Sequence, residues 1–121
     1  MAYEIVNQTK SKSVIRVVGT GNQLITLSQL SKSDNETITG ATIATVLAST
    51  NGTWKVYRGN DATGTLVLEL PGGADWPLSQ MDIAVANSAT SNLYVTNSGS
   101  NGTLILTVTK SATYATPLEG I

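Results

Sequence analysis

The sequence contains no cysteine and no histidine among its 121 residues. Without these side chains it cannot form a disulfide, supply a thiolate or an imidazole base, or build the usual zinc site. Ser-His-Asp and Cys-His catalysis are therefore excluded. A carboxylate pair for glycoside hydrolysis stays possible in principle. Most of the 8 acidic residues lie in or beside predicted turns, so we predict a protein that is not an enzyme and has no cofactor.

Charge is also scarce. Charged residues make up 12% of the chain and the net charge is −1, whereas a typical soluble protein has about 25% charged residues. Nucleic-acid binding requires clustered cations, so we predict no nucleic-acid partner. The N-terminus has neither the basic start nor the apolar run of a signal peptide. No apolar stretch approaches the roughly 20 residues that cross a bilayer, so we also predict no membrane partner.

The sequence is rich instead in threonine, serine and asparagine, with 18, 12 and 9 residues, and 40% of it is hydrophobic. Short apolar runs recur about every 8 to 14 residues between turn-forming residues, which is typical of a sandwich or barrel. We predict an all-β fold: an antiparallel β-sandwich of about eight or nine strands over residues 1–110, with extended terminal segments and a C-terminal tail at 111–121. The predicted strands are residues 3–8, 14–19, 23–30, 42–48, 53–58, 65–70, 82–86, 92–96 and 103–110.

Alternating side chains identify the predicted core face, because successive residues of a strand point to opposite sides of the sheet. In three strands the inward positions are apolar: Trp54 and Val56; Leu66, Leu68 and Leu70; Leu104, Leu106 and Val108. The chain has only 2 tryptophans and no phenylalanine, so we assign Trp54 to the core as bulk.

The turn signals predict how some strands are joined. Asn51-Gly52 and Asn101-Gly102 are strong hairpin signals, and they predict that 42–48 pairs with 53–58 and that 92–96 pairs with 103–110. Oxygen-bearing side chains at 60–64 are compatible with calcium, but a simple turn is the favoured interpretation, and we predict no metal site. Prolines and glycines at 71–77 predict a loop without ladder pairing.

Four segments of the chain resemble the small all-β virion proteins of tailed bacteriophages: TWKVYRG at 53–59, VLELPGGADW at 67–76, NLYVT at 92–96 and GTLILTVTK at 102–110. Within that group, the nearest role is capsid decoration, or cement. The resemblance implies synthesis in the host cytoplasm and location in the virion. It implies the major capsid protein and neighbouring copies of the chain itself as partners, in a homo-oligomer or multi-copy assembly. It brings no catalytic residue.

Such a protein binds its neighbours through sheet edges or extended arms, where main-chain hydrogen bonds give affinity and alternate side chains give specificity. The candidate binding residues are Tyr3, Ile5, Trp76, Tyr114, Leu118 and Ile121. Tyr3 and Ile5 fit equally well as core residues of a first strand. Two other functions stay open. One is a tail or fibre structural protein, and the other is a carbohydrate-binding β-sandwich module in which Trp76 and Tyr57 form an exposed platform.

Overall fold

The computed structural model describes residues 2–9, 12–30, 36–76 and 90–114, which form two antiparallel β-sheets. The strands are β1 (Ala2–Gln8), β2 (Lys12–Val18), β3 (Gly21–Ile25), β4 (Glu36–Thr50), β5 (Thr53–Arg58), β6 (Thr65–Pro71), β7 (Ala74–Trp76), β8 (Leu93–Asn97) and β9 (Gly102–Tyr114). One sheet has the order β1-β2-β9-β4-β7 and the other β3-β8-β5-β6. The predicted all-β sandwich is confirmed.

The core lies between the two sheets and follows the predicted alternation. Trp54, Val56 and Leu70 from one sheet meet Leu104 and neighbouring apolar residues of the other, and all of these side chains are almost completely buried. Trp54 is 0% exposed, and its indole N–H donates to the Ser49 carbonyl oxygen at 3.1 Å. The assignment of Trp54 to the core is therefore confirmed.

Leu66 departs from the predicted alternation. It was expected to face inward with Leu68 and Leu70, but its side chain is 45% exposed. The register between β5 and β6 shifts between Val56 and Tyr57. A β-bulge adds one residue to a strand, so residues on its two sides no longer keep the same alternation. Leu66 therefore lies on the outer face.

A buried arginine continues the inward alternation of Trp54 and Val56. Arg58 is 3% exposed, and its guanidinium donates from Nη1 to the Ala41 carbonyl oxygen at 3.1 Å. Its Nη2 donates to the Ser91 carbonyl oxygen at 2.6 Å. Burial lowers the pKa of Arg58, because removal from water disfavours a charged group. Arg58 thus links the two sheets through the edge of the core.

The two Asn-Gly turns do not form the predicted hairpins. Asn51-Gly52 joins β4 to β5, and Asn101-Gly102 leads into β9 from β8, so each connects strands of different sheets. The hairpin prediction was wrong because a tight turn fixes a local reversal but not the pairing partner. Burial decides the partner: β4 pairs with β9 along nearly its whole length, and β5 pairs with β6 and β8.

Four connections between the sheets lie together at one end of the sandwich, here called the crossing end. They are the β2–β3, β4–β5, β6–β7 and β8–β9 connections. Backbone hydrogen bonds join them to one another and to the strands, including Gly72 N–H to the Gly52 carbonyl at 3.0 Å and Gly19 N–H to the Gly102 carbonyl at 3.0 Å. The connections that carry the chain from one sheet to the other therefore lie side by side and are joined by hydrogen bonds.

Asparagine side chains hold the crossing end together. The Asn97 amide accepts from the Thr50 hydroxyl at 2.9 Å and donates to the Gly19 carbonyl at 2.8 Å. The Asn51 carbonyl oxygen Oδ1 accepts from the Ser100 N–H at 2.8 Å, and its Nδ2 donates to the Ser100 hydroxyl at 2.8 Å. Short amide side chains suit turns because they bond to nearby backbone groups.

Two further predictions of local structure were wrong. The predicted strand at 23–30 ends at Ile25 and is followed by a short 3-10 helix, Leu27–Leu30. The Thr26 N–H donates to Gln29 Oε1 at 2.9 Å, which is one of the two bonds of a capping box and marks the start of the helix. In the predicted loop at 71–77, Ala74–Trp76 pairs with β4 as β7. Three residues with backbone N–H groups suffice for a short edge strand between Pro71 and Pro77.

Strand β9 runs past its predicted end at residue 110. Gly40, Ile38, Thr37 and Glu36 of β4 pair with Ser111, Ala112, Thr113 and Tyr114 of β9. The first four residues of the predicted tail therefore belong to a strand, because β4 begins six residues earlier than predicted and supplies a partner. The predicted strand at 82–86 and residues 115–121 lie outside the described residues. In the described ranges, no helix has the length and apolar character to cross a bilayer.

Candidate functional site

The predicted anchors Tyr3 and Ile5 lie on β1, the edge strand of the five-stranded sheet. They pair with Val17 and Ile15, which are core residues. Both anchors are partly buried against that core, and burial raises the pKa of the Tyr3 hydroxyl. These contacts agree with the alternative that both residues belong to the first strand of the core.

The outer part of β1 carries features that protect a sheet edge from aggregation. The register shifts between Ile5 and Asn7, and Glu4 forms an exposed ion pair with Arg16. Bulges and charges are the common means of preventing edge-to-edge pairing. Strand β1 is therefore a poor edge for strand addition.

A two-stranded extension of the five-stranded sheet is here called the terminal ribbon. It comprises residues 36–40 of β4 paired with residues 111–114 of β9. Its register shift, between Ile38 and Gly40, lies on β4, and residues 111–114 on its other strand carry no charge. Strand β2 stops at its pair Lys12–Thr109, so among the described strands the 111–114 segment has β4 as its sole neighbour. The ribbon continues for about 13 Å at 3.3 Å per residue. The predicted anchor Tyr114 is its last residue, while Leu118 and Ile121 lie outside the described residues.

The base of the terminal ribbon is fixed to the sandwich. Ile38 is buried, and the short 3-10 helix packs beside β4. The Lys110 ammonium, next to the ribbon in sequence, donates to the Leu30 carbonyl oxygen at 2.6 Å. The ribbon is thus held in position at its base.

The structure does not bring Trp76 and Tyr57 onto one sheet. Trp76 lies on β7, where its backbone pairs with Val46 of the five-stranded sheet. Tyr57 lies on β5 of the four-stranded sheet. The backbones of the two residues therefore belong to different sheets.

Tyr57 instead lies beside a shallow cleft of about 550 Å³ on the outer face of the four-stranded sheet. Two registered rows of side chains cross this face. The polar row contains Asn22, Thr96, Lys55 and Glu69, one from each strand. Lys55 Nζ and Glu69 Oε2 are 3.6 Å apart, so the row carries one positive and one negative charge.

The second row of the same face is apolar and aromatic. It contains Leu24, Tyr94, Tyr57 and Leu66 in one register across β3, β8, β5 and β6. The rings of Tyr57 and Tyr94 are 6.3 Å apart at an angle of 56°, a tilted arrangement within the favourable range for aromatic pairs. The alternation within β5 predicts that Lys55 and Tyr57 share one face of the strand. Which side chains lie beside them depends on the register with β6 and β8.

A turn joins β5 to β6 at residues 60–64, so the predicted turn is confirmed. The Asp61 carboxylate accepts from the Thr63 N–H at 2.9 Å and from the Thr63 hydroxyl. The Gly64 N–H donates to the Asp61 carbonyl at 3.1 Å. These bonds use the carboxylate to close the turn. Within the described part of the chain, no three acidic residues converge in a group that could hold a metal ion.

The Asp61 carboxylate gives a test of this turn. Hydrogen bonds from the Thr63 hydroxyl and then from the Thr63 N–H lower the pKa of Asp61, because they favour the charged form. A group with a lowered folded-state pKa stabilises the fold above its unfolded pKa. That contribution is lost as the pH falls through the folded pKa.

We expect an NMR titration of the Asp61 carboxyl carbon to give a pKa below the usual aspartate value. Thr63→Ala should raise it but leave part of the shift, because the backbone N–H remains. Thr65→Ala, which changes an exposed residue of β6, is the control and should leave the titration unchanged. An Asp61 pKa unaffected by Thr63→Ala would contradict the role of the hydroxyl.

No protein-family model, curated protein or solved structure matches the chain.

Proposed function

We propose that the chain is a non-enzymatic structural protein of a phage particle that binds the outer surface of the capsid and bridges neighbouring shell subunits. The resemblance of residues 42–110 to virion proteins supports the assignment to a phage particle. The terminal ribbon is the single observation that carries the mechanism. Its partners would be the major capsid protein and neighbouring copies of the chain.

The terminal ribbon supports this proposal through an edge with which no described strand pairs. Two-stranded ribbons are marginally stable in water unless a third strand or another surface covers them. The 111–114 segment has β4 on one side, and on its other side it is not paired with any described strand. A strand of a neighbouring subunit can add there, with main-chain hydrogen bonds giving affinity and alternate side chains giving specificity.

The display of many copies on a symmetric shell strengthens such a contact. Each strand addition contributes only a few hydrogen bonds, at about 1 kcal/mol net for each. A protein that bridges two subunits makes its second contact at a high effective concentration, which raises the total affinity without any new contact. Separating the subunits then requires the bridge to break as well.

Localisation on the particle is the direct test. We expect the chain to co-sediment with purified particles of the phage that encodes it, and gold-labelled antibody to mark the shell. Label confined to the tail or a fibre would overturn the capsid proposal in favour of that alternative. Particles that carry none of the chain would overturn the virion proposal altogether.

The ribbon itself is tested with a chain that ends at Lys110. We expect particles assembled without the protein to rupture at a lower temperature, and the full chain to restore the original threshold. The shortened chain loses about four main-chain hydrogen bonds, so its shell affinity should fall by roughly two to three orders of magnitude. It should therefore fail to restore the threshold.

Three further measurements separate backbone binding from folding and from the side-chain anchors. Circular dichroism should show that the shortened chain keeps its β-sheet spectrum. The full-length variant with Tyr114→Ala, Leu118→Ala and Ile121→Ala keeps the ribbon backbone and tests the predicted side-chain anchors. Val6→Thr, at an exposed position on the bulged edge strand, should bind as the unmodified chain does. Full binding by the shortened chain would refute the role of the ribbon.

A further inference from the structure

We propose that the cleft on the outer face of the four-stranded sheet binds a neutral oligosaccharide. This site is separate from the proposed shell contact, since the terminal ribbon extends the five-stranded sheet. Two rows of side chains on this face supply the groups that would bind the sugar.

The polar row has the hydrogen-bonding capacity that sugar hydroxyls require. Asn22 supplies an amide, Thr96 a hydroxyl, Lys55 three N–H donors and Glu69 two carboxylate oxygens. Within the described part of the chain, the side chains of Asn22 and Thr96 form no hydrogen bond of their own. The Lys55–Glu69 separation of 3.6 Å is longer than a good hydrogen bond. Each member of the row therefore retains donors or acceptors for a ligand.

The aromatic row supplies the apolar complement. Pyranose rings have hydroxyls around their edges and C–H groups on their faces, so they pack against flat aromatic side chains while their edges bind polar groups. Tyr57 and Tyr94 are both only partly buried, and they lie directly beside Lys55 and Thr96 on the same strands. Leu24 and Leu66 continue this apolar row at its two ends.

Charge and size identify the class of ligand. The one positive and one negative charge of the polar row cancel, which disfavours phosphates, acidic sugars and polycations. Three strand spacings of about 4.8 Å give each row a length of roughly 14 Å. This length fits two or three sugar rings. The cleft volume of about 550 Å³ lies within the usual range for small-ligand sites.

The test is NMR titration of the labelled full chain with neutral cello-, malto-, chito- and manno-oligosaccharides of three or more rings. We expect at least one series, at concentrations up to about 10 mM, to shift the amide signals of Asn22, Lys55, Tyr57 and Thr96. Tyr57→Ala should weaken that binding roughly fivefold to tenfold. Tyr57→Phe keeps the ring and should stay within about twofold of the unmodified chain.

Two further variants protect the test from folding artefacts. Asn22→Ala changes an exposed side chain and should weaken binding by roughly threefold to tenfold through the loss of its hydrogen bonds. Leu47→Ala, on the outer face of the other sheet, should leave binding unchanged. Absence of shifts with all four series, or shifts confined to other surfaces, would overturn the proposal. Shifts of the same residues on raising the protein concentration alone would assign the face to a second copy and also overturn it.

Discussion

Replacing Gly52 with alanine is expected to lower the free energy of unfolding by about 4 kcal/mol or more, a loss that few single substitutions reach. A methyl group at this position would lie 2.3 Å from the Gly99 nitrogen and 2.5 Å from the Gly99 Cα. Carbon atoms normally approach to about 3.5–4.0 Å. These neighbours are backbone atoms that cannot rotate away as a side chain can, so two connections at the crossing end must separate.

The Gly52 carbonyl also accepts from the Gly72 N–H, so a shift of the Gly52 backbone would disturb a third connection as well. For a domain of this size the loss corresponds to a fall of roughly 15 °C in Tm. Thermal and urea unfolding followed by circular dichroism would measure it.

Gly73→Ala is the matched control at the same end of the sandwich. Its methyl group would meet one atom, the Ala48 carbonyl oxygen, at 3.3 Å. We expect a loss below about 1.5 kcal/mol, since a small shift relieves a single contact of this kind. Equal losses for the two variants would show that close approach of the two turns is not the reason for glycine at position 52.

Removing the Asn97 side chain is the second substitution with a large expected effect. The side chain is almost completely buried and makes four hydrogen bonds. Its Oδ1 accepts from the Thr50 hydroxyl at 2.9 Å and the Gly99 N–H at 3.0 Å. Its Nδ2 donates to the Gly19 carbonyl at 2.8 Å and the Asn101 carbonyl at 3.1 Å. One amide thus joins three of the four connections between the sheets.

Asn97→Ala is expected to cost about 3 kcal/mol, because unsatisfied buried partners cost roughly 1–3 kcal/mol each and water reaches some of them. Asn22→Ala, on the neighbouring strand, removes an exposed amide and should change stability by no more than about 0.5 kcal/mol. Urea unfolding of both variants measures the difference. A loss below about 1 kcal/mol for Asn97→Ala would contradict the role of the amide.

Asn97→Asp tests the donors alone. It keeps the acceptor oxygen but turns a carboxylate oxygen toward the carbonyls of Gly19 and Asn101. The ionised carboxyl is disfavoured there, so its folded-state pKa should be raised. The destabilisation should then be large near neutral pH and smaller below the unfolded pKa of aspartate, about 3.9, where the group is protonated in both states. A loss that does not change with pH would contradict this account.

Much of the strand content was predictable because alternation is a local property of the chain. Trp54 and Val56 were placed in the core from their spacing alone, and both are 0% exposed. The same alternation places the Arg58 side chain on the buried face of β5. It failed at Leu66, because the bulge between β5 and β6 arises only when the two strands pair. It also failed at 23–30, although the Thr26-x-x-Gln29 pattern contained the signal for a helix start.

Strand partners were not predictable from the turns. Asn51-Gly52 reverses the chain as predicted, but β4 and β5 enter different sheets. The residues that hold this turn come from elsewhere, since Asn51 bonds to Ser100, 49 residues away. The residues that meet at the cleft were not predictable from the sequence either. The polar row that lines it, and the apolar row beside it, each combine one residue from each of four strands, and no spacing along the chain brings them together.

The sequence by itself excluded the reactions that need cysteine or histidine and determined the positions of most strands. The lack of cysteine and histidine removes whole classes of reaction, and the alternation of polar and apolar residues specifies extended segments with one buried face. Only the tertiary structure decided which strands share a sheet and which outward side chains form a cleft. The physical reason is that side-chain alternation is set by neighbouring residues, whereas pairing is set by the burial of all apolar faces at once.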